Sequence, residues 1–467
     1  MRVIIHLDID CFYAQAEIVQ DESLRGKPVG VQQNQTISTC NYEARARGLG
    51  KMVNHVEARK LIPDLVVIQS HMELYREESA KIFERLNHIC SDCLVEISGI
   101  DEAFVDVTER VNQMLSLGNE HVFYGHSVPT SHKKYSEDDL WLVRGSEIAH
   151  QVRETILIEC GYQLSAGVAN NKLLSKLVTS LNKPFGQTTL FQLGVNEFLN
   201  PLMLRKIPKI GRITSEKLFK ECGYEKIRDV TFDSNALSKL TRAIGETTAL
   251  YLQSACNGVD DSKVIPKGLK KSFMSEFTFL PVSIKSTALL TEKINILCED
   301  LSQRLVRDIS KNQRTPTRVI VRYTTVANNG KERAYRSVSS AKDSLSITGK
   351  MSVGEIHKVV KELSFETLKN RLSQEVDYHE LFRMSVGLYD FSKINGVTLD
   401  EMFNRVAQKR SISETLDSDY KLALSLQKEE NNLELAMMKR RRTEKIPKSK
   451  IVQNNQTQTS LLRFIKK

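Results

Sequence analysis

The sequence predicts a multidomain α/β fold, more strictly α+β, and three observations predict it. The chain has 467 residues, too many for one ordinary hydrophobic core. It opens on an apolar, β-branched run, Ile4-Ile5-His6-Leu7-Asp8-Ile9-Asp10, which reads as a buried strand feeding a helix. From Lys271 the pattern becomes strand, long helix, strand, strand, helix, strand, the order of the ferredoxin-like split β-α-β motif.

Side chains alternate along a strand, so His6, Asp8 and Asp10 share one face. Two carboxylates on a buried face repel each other and lose hydration, which is costly without a positive partner. A divalent cation such as magnesium, which takes oxygen ligands, is the obvious partner. An isolated Asp-x-Asp serves equally well as a helix cap. Cys11 to Gln20 reads as a helix with Phe12, Ala16 and Val19 inward. A smaller segment follows from Lys27 to about Ser70, β-rich over Pro28 to Asn41 and helical over Val56 to Leu61. Glu73 to His88 is helical. A second acidic run, Glu96 to Val107, is strand-like with a kink at Gly99. Asp101 and Glu102 would face opposite ways on a regular strand. They reach one site only near a strand end or turn, which Ser98-Gly99 supplies. Two such acidic strand regions suggest a paired-carboxylate metal site at a sheet edge.

His121 to Asp139 is polar and reads as a surface loop. Leu142 to Ile158 is an amphipathic helix, Ser165 to Ala169 a short strand, and Asn170 to Leu181 a helix carrying Lys172 and Lys176. In Leu202 to Val264, Ile207-Pro208-Lys209-Ile210-Gly211 before the helix Thr214 to Lys220 resembles a helix-hairpin-helix. There a Gly turn lets backbone N–H groups approach a phosphate. Ala243-Ile244-Gly245 is a weaker second copy.

Strands are expected at Lys271 to Phe279, Thr317 to Thr325, Arg333 to Ser339 and Leu381 to Tyr389, with helices at Lys285 to Ile309 and Val353 to Leu372. Leu290, Ile294, Leu297, Leu301 and Leu305 recur at helical spacing. Arg318 and Arg322 share a strand face, with Lys331, Arg333 and Arg336 on or beside the next strand. A basic sheet face suits duplex phosphates. After Asp390 the chain is polar and charged, the composition of a disordered tail.

A formal net charge of +10 and a pI of about 9.0 suit a polyanionic partner. Eight cysteines without a framework fit a reducing compartment. His88, Cys90 and Cys93 lie close together, but no second Cys-x-x-Cys pairs with them, which favours packing or surface thiols over a metal. Asp8 and Asp10 interrupt the first apolar run, so it does not read as a signal peptide. No stretch approaches the roughly 18 apolar residues of a membrane span.

Several of these motifs together resemble the Y-family of translesion DNA polymerases. Ser98-Gly99-Ile100-Asp101-Glu102 fits the family's S-x-x-D-E. Asp8 to Glu17, Thr39 to Gly48, Leu142 to Glu154 and Gly167 to Pro184 are similar in the same order. The resemblance covers roughly the first 390 residues. It implies a right-hand architecture: palm (1–26 and 71–200), small fingers (27–70), helical thumb (201–265), a ferredoxin-like little finger (271–390) and a flexible tail (391–467). It implies catalysis by Asp8, Asp101 and Glu102, holding two magnesium ions (manganese being the alternative) with the Ile9 carbonyl as a further ligand. Asp10 and Asp106 are left structural. Tyr13 becomes a steric gate beneath the incoming sugar, and Tyr42, Arg45 and Lys176 become triphosphate contacts. Gln33 and Thr36 align with residues that roof the template base in one branch, Thr36 being smaller than the leucine expected there. Ala103-Phe104-Val105-Asp106 is closer to other branches, so the branch stays open. Lys209, Gly211, Arg318 and Arg322 would touch DNA.

In the tail, Asp417 to Glu430 resembles an inverted ubiquitin-interacting helix through Leu422, Ala423 and Leu426. Lys439-Arg440-Arg441-Arg442 reads as a nuclear-import patch. Gln458, Leu461, Phe464 and Ile465 resemble a sliding-clamp (PCNA) box. The resemblance thus implies a nuclear, error-prone polymerase acting on primer-template DNA and a dNTP, recruited by the clamp and by ubiquitin or the ubiquitinated clamp. It has no second acidic cluster for proofreading. The rival from another class is a scaffold that binds clamp and ubiquitin without catalysis. The presence of all three acids disfavours it.

Overall fold

The computed structural model describes residues 1–118, 120–130, 136–279, 287–327, 332–340, 345–375 and 381–394. The ubiquitin-helix, import-patch and clamp-box residues, and Lys331, lie outside them. The chain divides into two units, Met1–Lys267 and one beginning at Gly268. Each is a mixture of helices and sheet.

In the first unit the opening strand, Ile4–Ile9, is buried on both faces, and it became a central strand for that reason. Its antiparallel neighbours are Glu102–Asp106 and Leu164–Ala169. The six-stranded sheet runs Leu94–Ile97, Glu102–Asp106, Ile4–Ile9, Leu164–Ala169, Gln187–Leu190, His126–Val128. The last two strands, parallel to each other, correct the sequence expectation of a plain loop around residue 126. Such short parallel strands carry no alternation for a sequence to display. The helix expected from Leu142 starts earlier, at Glu137, because Ser136 and Asp139 form a reciprocal cap.

The helix Phe12–Gln20 buries Phe12 and Ala16 as expected, but Val19 is 37 % exposed and Glu17 only 6 %. A carboxylate takes the inward place because Tyr75 and His71 hydrogen-bond to it. A second sheet, Val53–Asn54, Thr36–Cys40, Val29–Gln33, Val66–Gln69, has its own small core around Ile37, Ala44, Ala58 and Ile62. A helical region follows, in which Arg212–Cys222, Ala236–Ile244 and Glu246–Cys256 enclose Leu218, Leu240 and Leu252.

The second unit shows the expected element order. Its sheet is antiparallel throughout, in the order Ser272–Thr278, Leu381–Lys393, Arg314–Ala327, Glu332–Ser339. The helices Thr287–Asn312 and Val353–Glu375 share a core with it. Leu290, Ile294, Leu297, Leu301 and Leu305 are all buried there, as the helical spacing required. No described helix is long and apolar enough to cross a membrane.

Candidate active site

Antiparallel pairing sets Asp8 directly opposite Glu102. Two acids in that relation destabilise a sheet unless something compensates. Glu102 is the first residue of its strand and Asp101 the last of the turn before it. The Ile9 N–H donates to the Asp101 carbonyl at 2.8 Å, so the turn is pinned to the end of the first strand. The structure thus brings Asp8, Asp101 and Glu102 to one end of the sheet, by the turn that Ser98-Gly99 makes.

Lysines supply the compensation. Lys176, half-buried on the helix Lys172–Thr179, forms an ion pair with Glu102. Lys183, which the sequence analysis did not single out, pairs with Asp8 and lies 3.1 Å from Asp10. Asp10, 1 % exposed, also accepts hydrogen bonds from the Ser165 hydroxyl (2.7 Å), the Phe185 N–H (2.7 Å) and the Tyr42 hydroxyl (3.3 Å). It is a structural junction, as expected, and it joins the first strand to Tyr42.

These surroundings drive neighbouring carboxyls in opposite directions. Burial, then the charges of Asp8 and Glu102, push Asp101 up to about 6. Contact with His6 and the Lys176 ammonium, opposed by burial, hold Glu102 down at about 2. Buried His6 has its own pKa lowered by desolvation. Its Nδ1 meets the Thr179 hydroxyl at 2.9 Å. Its Nε2 stands 3.4 Å from Glu102 without a hydrogen bond.

Among the described residues no three His, Cys, Asp or Glu side chains are grouped closely enough to hold a metal. The donors nevertheless suit a hard divalent cation: Asp8 and Glu102 face each other across the sheet, and beside them burial, then like charge, raises the Asp101 carboxyl, a crowding of acids that such an ion relieves. His88, Cys90 and Cys93 form no such group either. Cys90 is buried in the core.

A raised carboxyl pKa has a sign. Between about 4 and about 6 the folded protein holds the Asp101 proton more tightly than the unfolded chain, so stability falls as pH rises through that window, by about 3 kcal/mol at most. Glu102 acts oppositely. Its contribution is present above its unfolded value and is lost as pH falls through about 2. Asp101→Asn is therefore expected to raise the thermal midpoint of the metal-free protein at pH 7 to 8 and to flatten its pH dependence between 4 and 6. Thermal unfolding in a chelator across pH reads both.

Around the acids, the Tyr13 ring stacks on Tyr75 with centroids 4.3 Å apart. The Arg45 guanidinium lies 4.6 Å from the centre of the Tyr42 ring, and its Nε donates to the Cys40 carbonyl at 3.1 Å. Burial and Asp10 push the Tyr42 phenol up, which keeps it a neutral donor. Gln33 and Thr36 face each other across the hairpin of the second sheet. Gln33 is exposed and Thr36 half-buried.

Lys209, in a left-handed conformation at φ 69°, is exposed beside Tyr251, whose hydroxyl donates to the Pro208 carbonyl at 2.9 Å. Gly211 caps the next helix and is exposed. In the second unit Arg318 pairs with Asp390, and Arg322 lies 5.1 Å from the Tyr389 ring centre. Both stand on the face opposite the core residues Val319 and Val321. Arg336 is placed opposite Tyr323, a core residue, so alternation puts it on the other face from Arg318 and Arg322.

Residues 7–180 match the impB/mucB/samB family, and the chain belongs to this family, the Y-family of translesion DNA polymerases. The chain is similar to DNA polymerase iota of Homo sapiens, 32 % identical over 408 residues, covering 84 % of this chain and 53 % of that protein. Similarity to DNA polymerase iota of Mus musculus is 36 % over 336 residues, 69 % of this chain and 45 % of that protein. DNA polymerase IV of Shewanella sp. (strain MR-7) is 34 % identical over 322 residues, 67 % of this chain and 79 % of that protein. The chain spans about half the length of the two iota relatives.

Proposed function

We propose that this chain is a template-directed, error-prone DNA polymerase of the iota type, transferring a nucleotide from a dNTP to a primer 3′-hydroxyl. The carrying observation is the cross-strand pair Asp8–Glu102 with Asp101 pinned beside it. In this reading residues 1–26 and 71–200 are the palm, 27–70 the fingers, 201–265 the thumb and 271–390 the little finger. Asp8, Asp101, Glu102 and the Ile9 carbonyl would hold two magnesium or manganese ions. When bound, these activate the hydroxyl and neutralise the departing pyrophosphate.

The 3′-oxygen attacks the α-phosphorus as the bond to the bridging oxygen breaks and the proton leaves the hydroxyl. Tyr42, Arg45, Lys176 and Lys183 bind the triphosphate oxygens and offset their growing charge. Tyr13 underlies the sugar, while Gln33 and Thr36 cover the template base. Lys209 and Gly211 hold duplex phosphates, as do Arg318 and Arg322. The tail motifs, Gln458-Leu461-Phe464-Ile465 for the clamp and Leu422-Ala423-Leu426 for ubiquitin, recruit the enzyme in the nucleus.

Single-nucleotide primer extension with magnesium or manganese, on templates differing only in the templating base, tests this. Extension that is far more accurate opposite A than opposite T supports the iota type. Similar accuracy on all templates assigns another Y-family branch and makes Thr36 the residue to exchange first. No incorporation with either metal overturns the reading and favours the clamp- and ubiquitin-binding scaffold. Duplex affinity is expected to fall linearly with salt on logarithmic axes, and Arg322→Ala to reduce that slope by about one.

A further inference from the structure

We propose that Tyr75, braced by Glu17 and His71, is a positioning residue that holds the Tyr13 ring and sets how strictly the site rejects ribonucleotides. The inference rests on the assignment of Tyr13 as the ring beneath the sugar.

Tyr13 and Glu17 stand four residues apart on one helix, Phe12–Gln20, and so on one face of it. Tyr75 arrives from another helix, Met72–Ile89, and contacts both. Its ring lies nearly parallel to Tyr13, with an interplanar angle of 11°. Its hydroxyl donates to Glu17 Oε1 at 2.5 Å. The two helices and the two contacts close a frame around the Tyr13 side chain.

The brace is buried while the ring it supports is not. Tyr75 is fully buried, and Tyr13 is half-buried and close enough to the acidic site to feel the Asp101 charge. Glu17 is a buried carboxylate, also held by His71 Nδ1, at 2.9 Å from Oε1 and 3.2 Å from Oε2. His71 occupies the N-cap of the Tyr75 helix, so the carboxylate also ties that helix to the one bearing Tyr13. Phe12 closes a third side, 5.9 Å from Tyr13 and 6.4 Å from Tyr75 between centroids.

A steric filter is only as strict as its least rigid wall. A ring free to swing would make room for one extra hydroxyl. A stacked neighbour removes one direction of swing, and a hydrogen bond to a buried carboxylate keeps that neighbour from following. A plain core tyrosine needs a partner for its hydroxyl, as Tyr162 has in Glu78, but it needs no near-parallel stack on a half-exposed ring.

The test is the ratio of kcat/KM for a dNTP to that for the matching rNTP, read with thermal midpoints. The variants are Tyr13→Ala, Tyr75→Leu, Tyr75→Phe and Glu17→Gln. Tyr75→Leu, which keeps bulk but loses the stack, is expected to lower the ratio about ten-fold. Tyr75→Phe and Glu17→Gln keep the stack and loosen the tether, and each is expected to lower it about two- to three-fold. Tyr13→Ala with Tyr75→Leu is expected to match Tyr13→Ala alone, since the brace acts only through the ring.

A folded Tyr75→Leu with the wild-type ratio, when Tyr13→Ala has lost discrimination, overturns the proposal and leaves the gate standing. If Tyr13→Ala itself still discriminates, the gate assignment fails and the brace with it. Should Tyr75→Leu not fold, an unchanged ratio in both Tyr75→Phe and Glu17→Gln overturns the proposal.

Discussion

Replacing Asp101 and Glu102 together by alanine is expected to reduce single-nucleotide extension about a thousand-fold or more, the loss of several kcal/mol of charge stabilisation at the reacting phosphate. The fold should survive. Asp101 sits in a turn whose pinning bond uses its backbone carbonyl, and Glu102 faces a like charge across the sheet. A thermal midpoint close to that of the wild type is therefore expected alongside the lost activity, the gain from removing Asp101 offsetting the loss of the Glu102 pair with Lys176. Extension within ten-fold of the wild type would place the chemistry elsewhere in the molecule.

Gly167→Val is expected to cost about 3 kcal/mol or more, read by urea or thermal unfolding. The strand Leu164–Ala169 lies directly against the helix Lys172–Thr179. A Cβ at Gly167 would collide with the Ser175 carbonyl oxygen and the Thr179 hydroxyl, and would stand 2.8 Å from the Thr179 backbone nitrogen. The two backbone atoms cannot step aside without moving the helix. That helix carries Lys176 to Glu102 and Thr179 to His6, so any residual folded population should also extend primers poorly. A variant as stable as the wild type would show that strand and helix stand further apart than described.

What the sequence displayed, and what it hid, follows from where each signal resides. The acidic hairpin was legible because alternation, a Gly kink and two adjacent acids are local facts. The long helix of the second unit was legible because Leu290, Ile294, Leu297, Leu301 and Leu305 repeat on one face. Val19 was misjudged because an inward carboxylate, Glu17, competes for the same arc of helix, and its partners come from residues 71 and 75. Lys183 was missed for a similar reason. Between Asn182 and Pro184 it looks like a loop cation, and only the return of that loop to the first strand gives it Asp8 and Asp10. The strands His126–Val128 and Gln187–Leu190 are too short to show a period, and they become strands by pairing, Gln187–Leu190 with Leu164–Ala169 and His126–Val128 with Gln187–Leu190.

The ion pairs of Lys183 and Lys176 would turn the proposed cation binding at this site into an exchange. A divalent ion arriving at Asp8 or Glu102 meets a carboxylate that already has an ammonium partner, so its apparent affinity is lower than the acids alone would give. The displaced ammonium groups do not vanish. They become available to an anion in the same cleft, and any anion that takes them makes the carboxylates easier to occupy. Thermodynamic reciprocity then requires the two ligands to tighten each other's binding by the same factor. A titration of the divalent ion with and without a triphosphate should therefore show two affinities, the tighter one in the anion's company.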